Sequence, residues 1–134
     1  MLTVHHLENS RSQRILWLLE ELEVEYALKT YARDRKTSLA PPEMKTIHPL
    51  GKSPIVIDGD TVVVESGAII EYVLDHYGEG RLRPAEGTPE FLRYRYWLHA
   101  AEGSVMPLLL MKLVFNKTTR APVPFFIRPI TGAV

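Results

Sequence analysis

The sequence predicts an α/β fold, in which a βαβ unit and a ββα unit are followed by an all-helical region. Three observations lead to this prediction. Short runs rich in β-branched residues occur before Ser66, apolar residues at helical spacing lie between some of those runs, and only helical spacing follows Thr88. With 134 residues, of which 46% are hydrophobic, the chain can bury one good core and part of a second. We therefore expect one complete domain and an extension.

The first unit consists of two strands joined by a helix. The opening "LTVHHL" alternates loosely and contains residues typical of strands, and "VEYALKTY" predicts a second strand. Between them, apolar residues recur at helical spacing: Ile15, Leu16, Leu18, Leu19 and Leu22. Because a helical crossover between neighbouring strands is right-handed and joins parallel strands, we expect these two strands to be parallel.

The second unit follows a polar stretch from Ala32 to Pro49, which predicts a surface loop with at most one short irregular helix. The β-branched runs "PIVID" and "TVVVE" are separated only by "GD", which is a strong signal for an antiparallel hairpin. The segment "SGAIIEYVLDHYG" then predicts a helix that ends at Gly78.

The polar connection "GEGRLRPAEGTPE" is the predicted domain boundary, with one domain at 1–83 and an all-helical domain at 88–134. A long helical pattern runs from Thr88 to about Lys117. The final "VPFFIRPITGAV" resembles the start of another helix, in which the sequence stops. We therefore expect an incomplete, truncated helical domain, either because the chain is a fragment or because the second domain is reduced.

Composition excludes several classes of function. Lys and Arg number 16, as do Asp and Glu, so no broad cationic surface is expected and nucleic acid is not a predicted partner. The chain has no cysteine, which excludes any mechanism that uses a protein thiol. The start lacks the pattern of a signal peptide, which favours a cytoplasmic location. The apolar stretch "VMPLLLMKLVF" is too short and interrupted to cross a bilayer, so no membrane partner is predicted.

Histidine spacing predicts no metal site. His5 and His6 are neighbours in a strand and point to opposite faces, so they cannot bind one metal together. We interpret both as structural or exposed residues. His48, His76 and His99 have no metal-ligand spacing to another histidine. No metal cofactor is therefore expected.

Pro54 stands between a polar loop and an apolar strand. A proline at the first position of a strand breaks no ladder hydrogen bond, so it can simply start the strand. A cis Ser53–Pro54 bond would instead turn the backbone of Ser53 outward, where it could pair with an extended peptide-like ligand. Since most X–Pro bonds are trans, the residues alone favour the trans form.

Glu65 and Ser66 lie where a strand ends and a helix begins. Ser66 could be a plain N-cap of that helix. Alternatively, the hydroxyl and the helix terminus could bind a carboxylate while Glu65 accepts a hydrogen bond from an ammonium group. In that case the pair would recognise the free amino acid end of a ligand.

The segment "ENSRSQR" lies between the first strand and the first helix. Asn9, Ser10 or Ser12 could cap the helix. A hydroxyl or amide near a helix start could also donate a hydrogen bond to an anion, for which a thiolate is a candidate. A serine nucleophile is not favoured, because no nucleophile-elbow pattern surrounds these residues.

Together, the ordered segments "ENSRSQRILWLLEEL", "HPLGKSPIV", "DGDTVVVESGAIIEYV" and "YRYWLHAAEGSVMPLL" make the chain resemble a cytosolic glutathione transferase of the serine type found in bacteria and fungi. The resemblance covers Met1 to about Pro84 and the first helical segments after it. It implies a thioredoxin-like fold for the first domain, with glutathione as co-substrate. It also implies that the proline is cis, and that the residue before it, Ser53, pairs with the cysteinyl backbone of glutathione.

The resemblance further implies roles for other site residues. Glu65 and Ser66 would bind the γ-glutamyl end of glutathione, and Lys52 and His48 would lie near its glycyl carboxylate. Ser10 matches the serine that stabilises the thiolate in serine-type members. Asn9 remains a second candidate for that role.

The function implied by the resemblance is activation of the glutathione thiolate for attack on a small electrophile or a peroxide, as in detoxification. A homodimer is implied as well, formed through the first long helix of the second domain. The alternative is a non-catalytic binding or dimerisation module of the same fold, or an inactive fragment.

Overall fold

The computed structural model of the protein describes residues 1–119, with side chains described for residues 1–116. Its four strands and five α-helices follow the predicted order. The strands are β1 (Leu2–Leu7), β2 (Tyr26–Tyr31), β3 (Ile55–Asp58) and β4 (Thr61–Val64). The helices are α1 (Gln13–Glu21), α2 (Met44–Ile47), α3 (Ser66–Tyr77), α4 (Pro89–Ala100) and α5 (Met106–Thr119). The α/β fold class is confirmed.

The strands form one mixed sheet in the order β2-β1-β3-β4. β1 pairs in parallel with β2, as the helical crossover predicts. β3 runs antiparallel to both of its neighbours, and in this register Ile55 pairs with His5 on one side and Val64 on the other. The start of β3 therefore lies at the same edge of the sheet as the ends of β1 and β4.

Apolar side chains are buried on both faces of the sheet. On one face, α1 and α3 cover the sheet through a core that contains Leu2, Val4, Ile15, Leu19, Leu22, Val56, Ile69, Val73 and Leu74. On the other face a smaller core consists of Leu7, Tyr31, Met44 and Ile55, with Met44 supplied by the short helix α2. The sheet thus lies between helices, and this packing positions the loops at the ends of its strands.

His5 and His6 lie on opposite faces of β1, as predicted. His5 is buried, and its Nδ1 lies 2.8 Å from the Tyr31 hydroxyl. His6 contacts Ser12 at the start of α1 instead. The pKa of His5 is lowered, chiefly by burial, which disfavours the charged ring.

Helix α3 ends at Gly78, as predicted, but for a reason that the sequence did not indicate. The φ angle of Gly78 is −76°, which any residue can adopt. A β-carbon at this position would lie 2.4 Å from the carbonyl oxygen of Leu74. Glycine is therefore needed here because the backbone approaches closely, not because the chain turns left-handed.

The long helical pattern predicted from Thr88 is divided in the structure. α4 is followed by a π-helical segment, Ala101–Val105, and then by α5. By packing, the chain divides into one compact unit, Met1–Tyr94, and a second from Arg95 onward. That division lies within α4, not in the linker, so the domain limits 1–83 and 88–134 remain a prediction. The predicted helix at "VPFFIRPITGAV" lies outside the described residues.

The helical run Pro89–Asn116 satisfies, by length and composition, the requirements of a membrane span. It contains the stretch that we judged too short to cross a bilayer. Core helices of soluble proteins meet the same requirements. One such helix therefore does not decide between a membrane span and a core helix of a soluble protein. The absence of a membrane partner remains a prediction.

Candidate functional site

Three segments that the sequence singled out meet at one edge of the sheet. They are the loop after β1, the Ser53–Pro54 pair before β3, and the Glu65–Ser66 pair after β4. The pairing of Ile55 with Val64 places the second and third segments side by side. The first joins them through a contact of 3.3 Å between the hydroxyl oxygens of Ser10 and Ser53. We call this edge the site end of the sheet.

The Ser53–Pro54 peptide bond is cis. The trans form, which the residues alone favoured, is therefore wrong, and the cis form that the resemblance implied is confirmed. The average preference for trans in X–Pro bonds is only about 0.5–1 kcal/mol, so local sequence cannot decide the isomer once tertiary contacts act on it. Pro54 itself is buried.

The Ser53 hydroxyl ties the start of β3 to the end of β1. It accepts a hydrogen bond from the backbone N–H of Leu7 at 3.2 Å and donates one to the carbonyl oxygen of His5 at 3.1 Å. Both partners are backbone groups of one strand. The side chain of Ser53 is therefore held in a fixed position beside the loop that carries Ser10.

The start of α3 differs from the plain N-cap that we considered for Ser66. Glu65 occupies the N-cap position with a φ of 75°, and its carbonyl oxygen accepts the N–H of Ile69 at 2.9 Å. Ser66 is the first helical residue and is 3% exposed, so the N-cap interpretation of Ser66 is wrong. No side chain caps the helix. Its first N–H groups and positive dipole end therefore lie uncapped beside Glu65 and Ser66.

In the loop after β1, Ser12 holds the N-cap position of α1, but its side chain makes no capping hydrogen bond. Its hydroxyl oxygen instead lies 2.7 Å from that of Ser10 and 2.8 Å from Nδ1 of His6. The backbone N–H of Ser12 also donates to the Ser10 hydroxyl at 3.2 Å. Ser12 is fully buried, whereas Ser10 is half-buried. Ser10 thus stands at the surface end of a short hydroxyl network.

Asn9, the second candidate for the thiolate, is exposed and has a φ of 51°. Its carbonyl oxygen accepts a hydrogen bond from Arg33 at 3.3 Å, and the same guanidinium donates to the carbonyls of Glu8 and Ser38, each at 2.9 Å. Arg33 therefore fixes the backbone of the loop. Sequence reasoning missed Arg33, because nothing in the local pattern distinguishes it from other arginines of the polar stretch.

Lys52 and His48 are less closely integrated into the site. Lys52 is exposed, and Nδ1 of half-buried His48 accepts the N–H of Leu50 at 3.3 Å. In the described part of the chain, neither side chain shares a hydrogen bond with Ser10 or Ser53. Among the same residues, no group of three or more histidine or acidic side chains is placed to hold a metal ion. The absence of a metal cofactor stays a prediction.

Comparison with known families identifies this arrangement. Residues 1–75 match the family model described as the N-terminal domain of glutathione S-transferase. The chain belongs to the glutathione S-transferase family. The match includes the whole site end, from the loop after β1 to the first residues of α3, and it confirms the thioredoxin-like fold of the first domain.

Similar proteins give the same result. The chain is 42% identical to glutathione S-transferase 3 of Schizosaccharomyces pombe over 97% of its own length and 52% of that protein. It is 40% identical to a glutathione S-transferase from Actinobacillus pleuropneumoniae, whose crystal structure it matches with a TM-score of 0.77 over 99% of this chain and 60% of that one.

A third match is the glutathione transferase URE2P6 of Phanerochaete chrysosporium, solved with oxidised glutathione. It is 25% identical, with a TM-score of 0.71, and the match covers 97% of this chain and 60% of that one. The chain spans about half the length of the curated relatives that it matches.

Proposed function

We propose that this member of the glutathione S-transferase family binds glutathione at the site end of the sheet and activates its thiolate. The observation that carries the proposal is the contact between the hydroxyl groups of Ser10 and Ser53, directly before the cis Pro54. This contact puts Ser10, the candidate hydrogen-bond donor to the thiolate, beside the Ser53 backbone that would hold the cysteinyl residue of glutathione. The complex of the related protein URE2P6 with oxidised glutathione supports the choice of ligand.

Each group of glutathione has a complementary group at this end. The backbone of Ser53 would pair with the cysteinyl residue. The uncapped N-terminus of α3 and the Ser66 hydroxyl would hold the γ-glutamyl carboxylate, since helix N-termini favour anions. The exposed carboxylate of Glu65 would accept from the γ-glutamyl ammonium. Lys52 and His48 would lie near the glycyl carboxylate at the other end of the tripeptide.

Ser10 is the better candidate for the thiolate than Asn9. Ser10 is half-buried and belongs to the hydroxyl network, whereas the Asn9 side chain is exposed on a loop whose carbonyl is held by Arg33. A free thiol has a pKa of about 8.5. One charge-assisted hydrogen bond contributes roughly 1.5–3 kcal/mol, which lowers that pKa by about one to two units. The thiolate is then abundant at neutral pH.

The thiolate would attack an electrophilic carbon, forming a carbon–sulfur bond as the leaving group departs with its electron pair. Alternatively it would attack a peroxide oxygen, forming a sulfur–oxygen bond as the oxygen–oxygen bond breaks and the second oxygen departs with the electron pair as an alkoxide or hydroxide. Neither reaction needs a covalent bond to the protein. We propose a cytoplasmic enzyme of detoxification that works as a homodimer. Trp97 and Met111 of the helical region are 59% and 49% exposed, which supports a partner surface there.

Calorimetric titration with glutathione tests the binding site. We expect Glu65→Gln and Ser66→Ala each to weaken binding by about 1.5–3 kcal/mol, or roughly 10- to 100-fold in Kd, because each removes a partner of a charged group. Glu25→Gln, which changes an exposed carboxylate elsewhere, is the matched control.

Unchanged affinity in both site variants would remove the assignment. Tight binding without conjugation of any aromatic electrophile would instead favour the alternative of a non-catalytic module. Light scattering on the same samples measures the mass of the proposed dimer.

A further inference from the structure

A continuous line of hydrogen-bonding side chains connects His6 to the site end. Nδ1 of His6 lies 2.8 Å from the Ser12 hydroxyl, which lies 2.7 Å from the Ser10 hydroxyl. The Ser10 hydroxyl lies 3.3 Å from that of Ser53. Each hydroxyl has one proton to donate, so the direction of every bond in this line depends on the others.

The direction can be derived from the Ser53 end. Ser53 donates its proton to the His5 carbonyl oxygen, which can only accept. Its hydroxyl oxygen must therefore accept from Ser10. With its proton used there, Ser10 accepts from the hydroxyl of Ser12. Ser12 then has no proton left for the histidine, so Nδ1 of His6 carries a hydrogen and donates it to Ser12.

The opposite direction satisfies fewer contacts. If Nδ1 of His6 were an acceptor, Ser12 would donate to it and Ser10 would donate to Ser12. The contact between Ser10 and Ser53 would then join two oxygens with no proton between them. Because polar groups that are at least partly buried lose free energy when a hydrogen bond is missing, the direction that starts at His6 is favoured.

We propose that His6 is a positioning residue that keeps the Ser10 proton directed away from Ser12 and available to an anion at the site end. The inference rests on the proposed role of Ser10. In the absence of ligand, the Ser10 proton is held by the long bond of 3.3 Å to Ser53, which is weaker than an ordinary bond between hydroxyls. A thiolate can replace the Ser53 hydroxyl as the acceptor of this hydrogen bond at small cost. In the opposite direction, the proton would be held in the shorter contact with Ser12 at 2.7 Å.

This role depends on one ring nitrogen. The neutral form with the proton on Nδ1 and the doubly protonated ring both donate from Nδ1, whereas the neutral form with the proton on Nε2 alone does not. His6 is half-exposed and lies on the face of β1 that α1 covers, where the loop residue Ser12 reaches it.

The first test uses the unmodified chain labelled with nitrogen-15 in its five histidines. Long-range proton–nitrogen spectra identify which ring nitrogen of each histidine is protonated, and the spectrum of His6→Phe assigns the His6 signals. We expect a proton on Nδ1 of His6. A neutral ring protonated only on Nε2 would overturn the inference whether or not glutathione binds.

The second test measures the pKa of bound glutathione by ultraviolet thiolate absorbance. In His6→Phe, Ser10 can donate to Ser12 for part of the time, so we expect the pKa of bound glutathione to rise by roughly 0.5–1 unit. In His6→Asn, an amide N–H near the position of Nδ1 should donate to Ser12 in its place. We therefore expect the pKa of bound glutathione to return most of the way to its value in the unmodified chain. In a Ser12→Ala background the line is cut, so His6→Phe should have no further effect.

The variants separate this inference from the proposed function. If Ser10→Ala leaves the pKa of bound glutathione unchanged, the thiolate role of Ser10 and the role of His6 both fail. If Ser10→Ala raises that pKa but His6→Phe does not, only the role of His6 fails. It also fails if the effect of His6→Phe persists in the Ser12→Ala background, because the residue would then act by another route.

Discussion

The two ends of the sheet each carry a polar cluster, and the two clusters are built differently. At the site end, Ser10, Ser12 and Ser53 form a line of hydroxyl groups that begins at His6. At the opposite end lies a cluster that we call the carboxylate end. There the last residue of β3, Asp58, accepts hydrogen bonds from two tyrosines of α3, Tyr72 at 3.1 Å and Tyr77. Both clusters connect β3 to another element.

The clusters differ in whether a hydroxyl group can change its hydrogen-bond acceptor. At the carboxylate end both phenol protons point at one charged oxygen. The bond from Tyr77 is the largest cause that lowers the pKa of Asp58, and the same bond raises the pKa of Tyr77 to about 12. At the site end the Ser10 proton is held by a long bond to a neutral hydroxyl. The strong hydrogen bonds to Asp58 stabilise the fold, whereas the weakly bound Ser10 hydroxyl can donate its hydrogen bond to a ligand instead.

The largest expected difference between the two ends is in stability. We expect Asp58→Asn to lower the free energy of unfolding by on the order of 1–3 kcal/mol, because it replaces the charged acceptor of two hydrogen bonds by a neutral amide. Ser10→Ala should lower it by less, about 0.5–1 kcal/mol, because the buried Ser12 hydroxyl that loses its partner Ser10 can donate to His6 instead. Urea denaturation measures both. Equal losses in the two variants would contradict the distinction between the ends.

A smaller effect is expected in the pH dependence of stability. Because the pKa of Asp58 is lower in the folded protein than its usual 3.8, its contribution is complete above that value and is lost as the pH falls through the folded pKa. Unfolding curves at a series of acidic pH values should therefore show a steeper loss in the natural sequence than in Asp58→Asn. Asp60→Asn, a change at the neighbouring turn, is the control and should keep the steep loss.

Much of the fold follows from local pattern. The "GD" turn between β-branched runs predicted the β3–β4 hairpin, and the helical spacing that begins at Ile15 predicted α1. These signals are local, because turn chemistry and periodicity act over a few residues. Long-range packing could not be predicted from these local patterns. The close approach of Gly78 to Leu74 and the π-helical segment Ala101–Val105 have no signal in the sequence pattern.

The residues of the site could be predicted from the sequence, but the hydrogen bonds that connect them could not. The resemblance brought Ser10, Ser53 and Glu65 to one edge, where the structure places them. Residues alone favoured the wrong isomer for Ser53–Pro54 and left the role of Ser66 as an N-cap open, since both depend on how separate segments meet. The line from His6 through Ser12 could not be foreseen either, because it requires the exact position of α1 against β1. The carboxylate end likewise joins residues 14 and 19 positions apart.

The central claim is that Ser10, at the site end, donates a hydrogen bond to the glutathione thiolate and so stabilises it. The measurement that tests it most directly is the ultraviolet absorbance of the bound thiolate against pH, in the natural sequence and in Ser10→Ala, with Asn9→Ala as the matched variant. We expect Ser10→Ala to raise the pKa of bound glutathione by about one to two units while the Kd changes little, and Asn9→Ala to leave that pKa in place. A shift in Asn9→Ala alone would transfer the role to Asn9, and no shift in either variant would contradict the account.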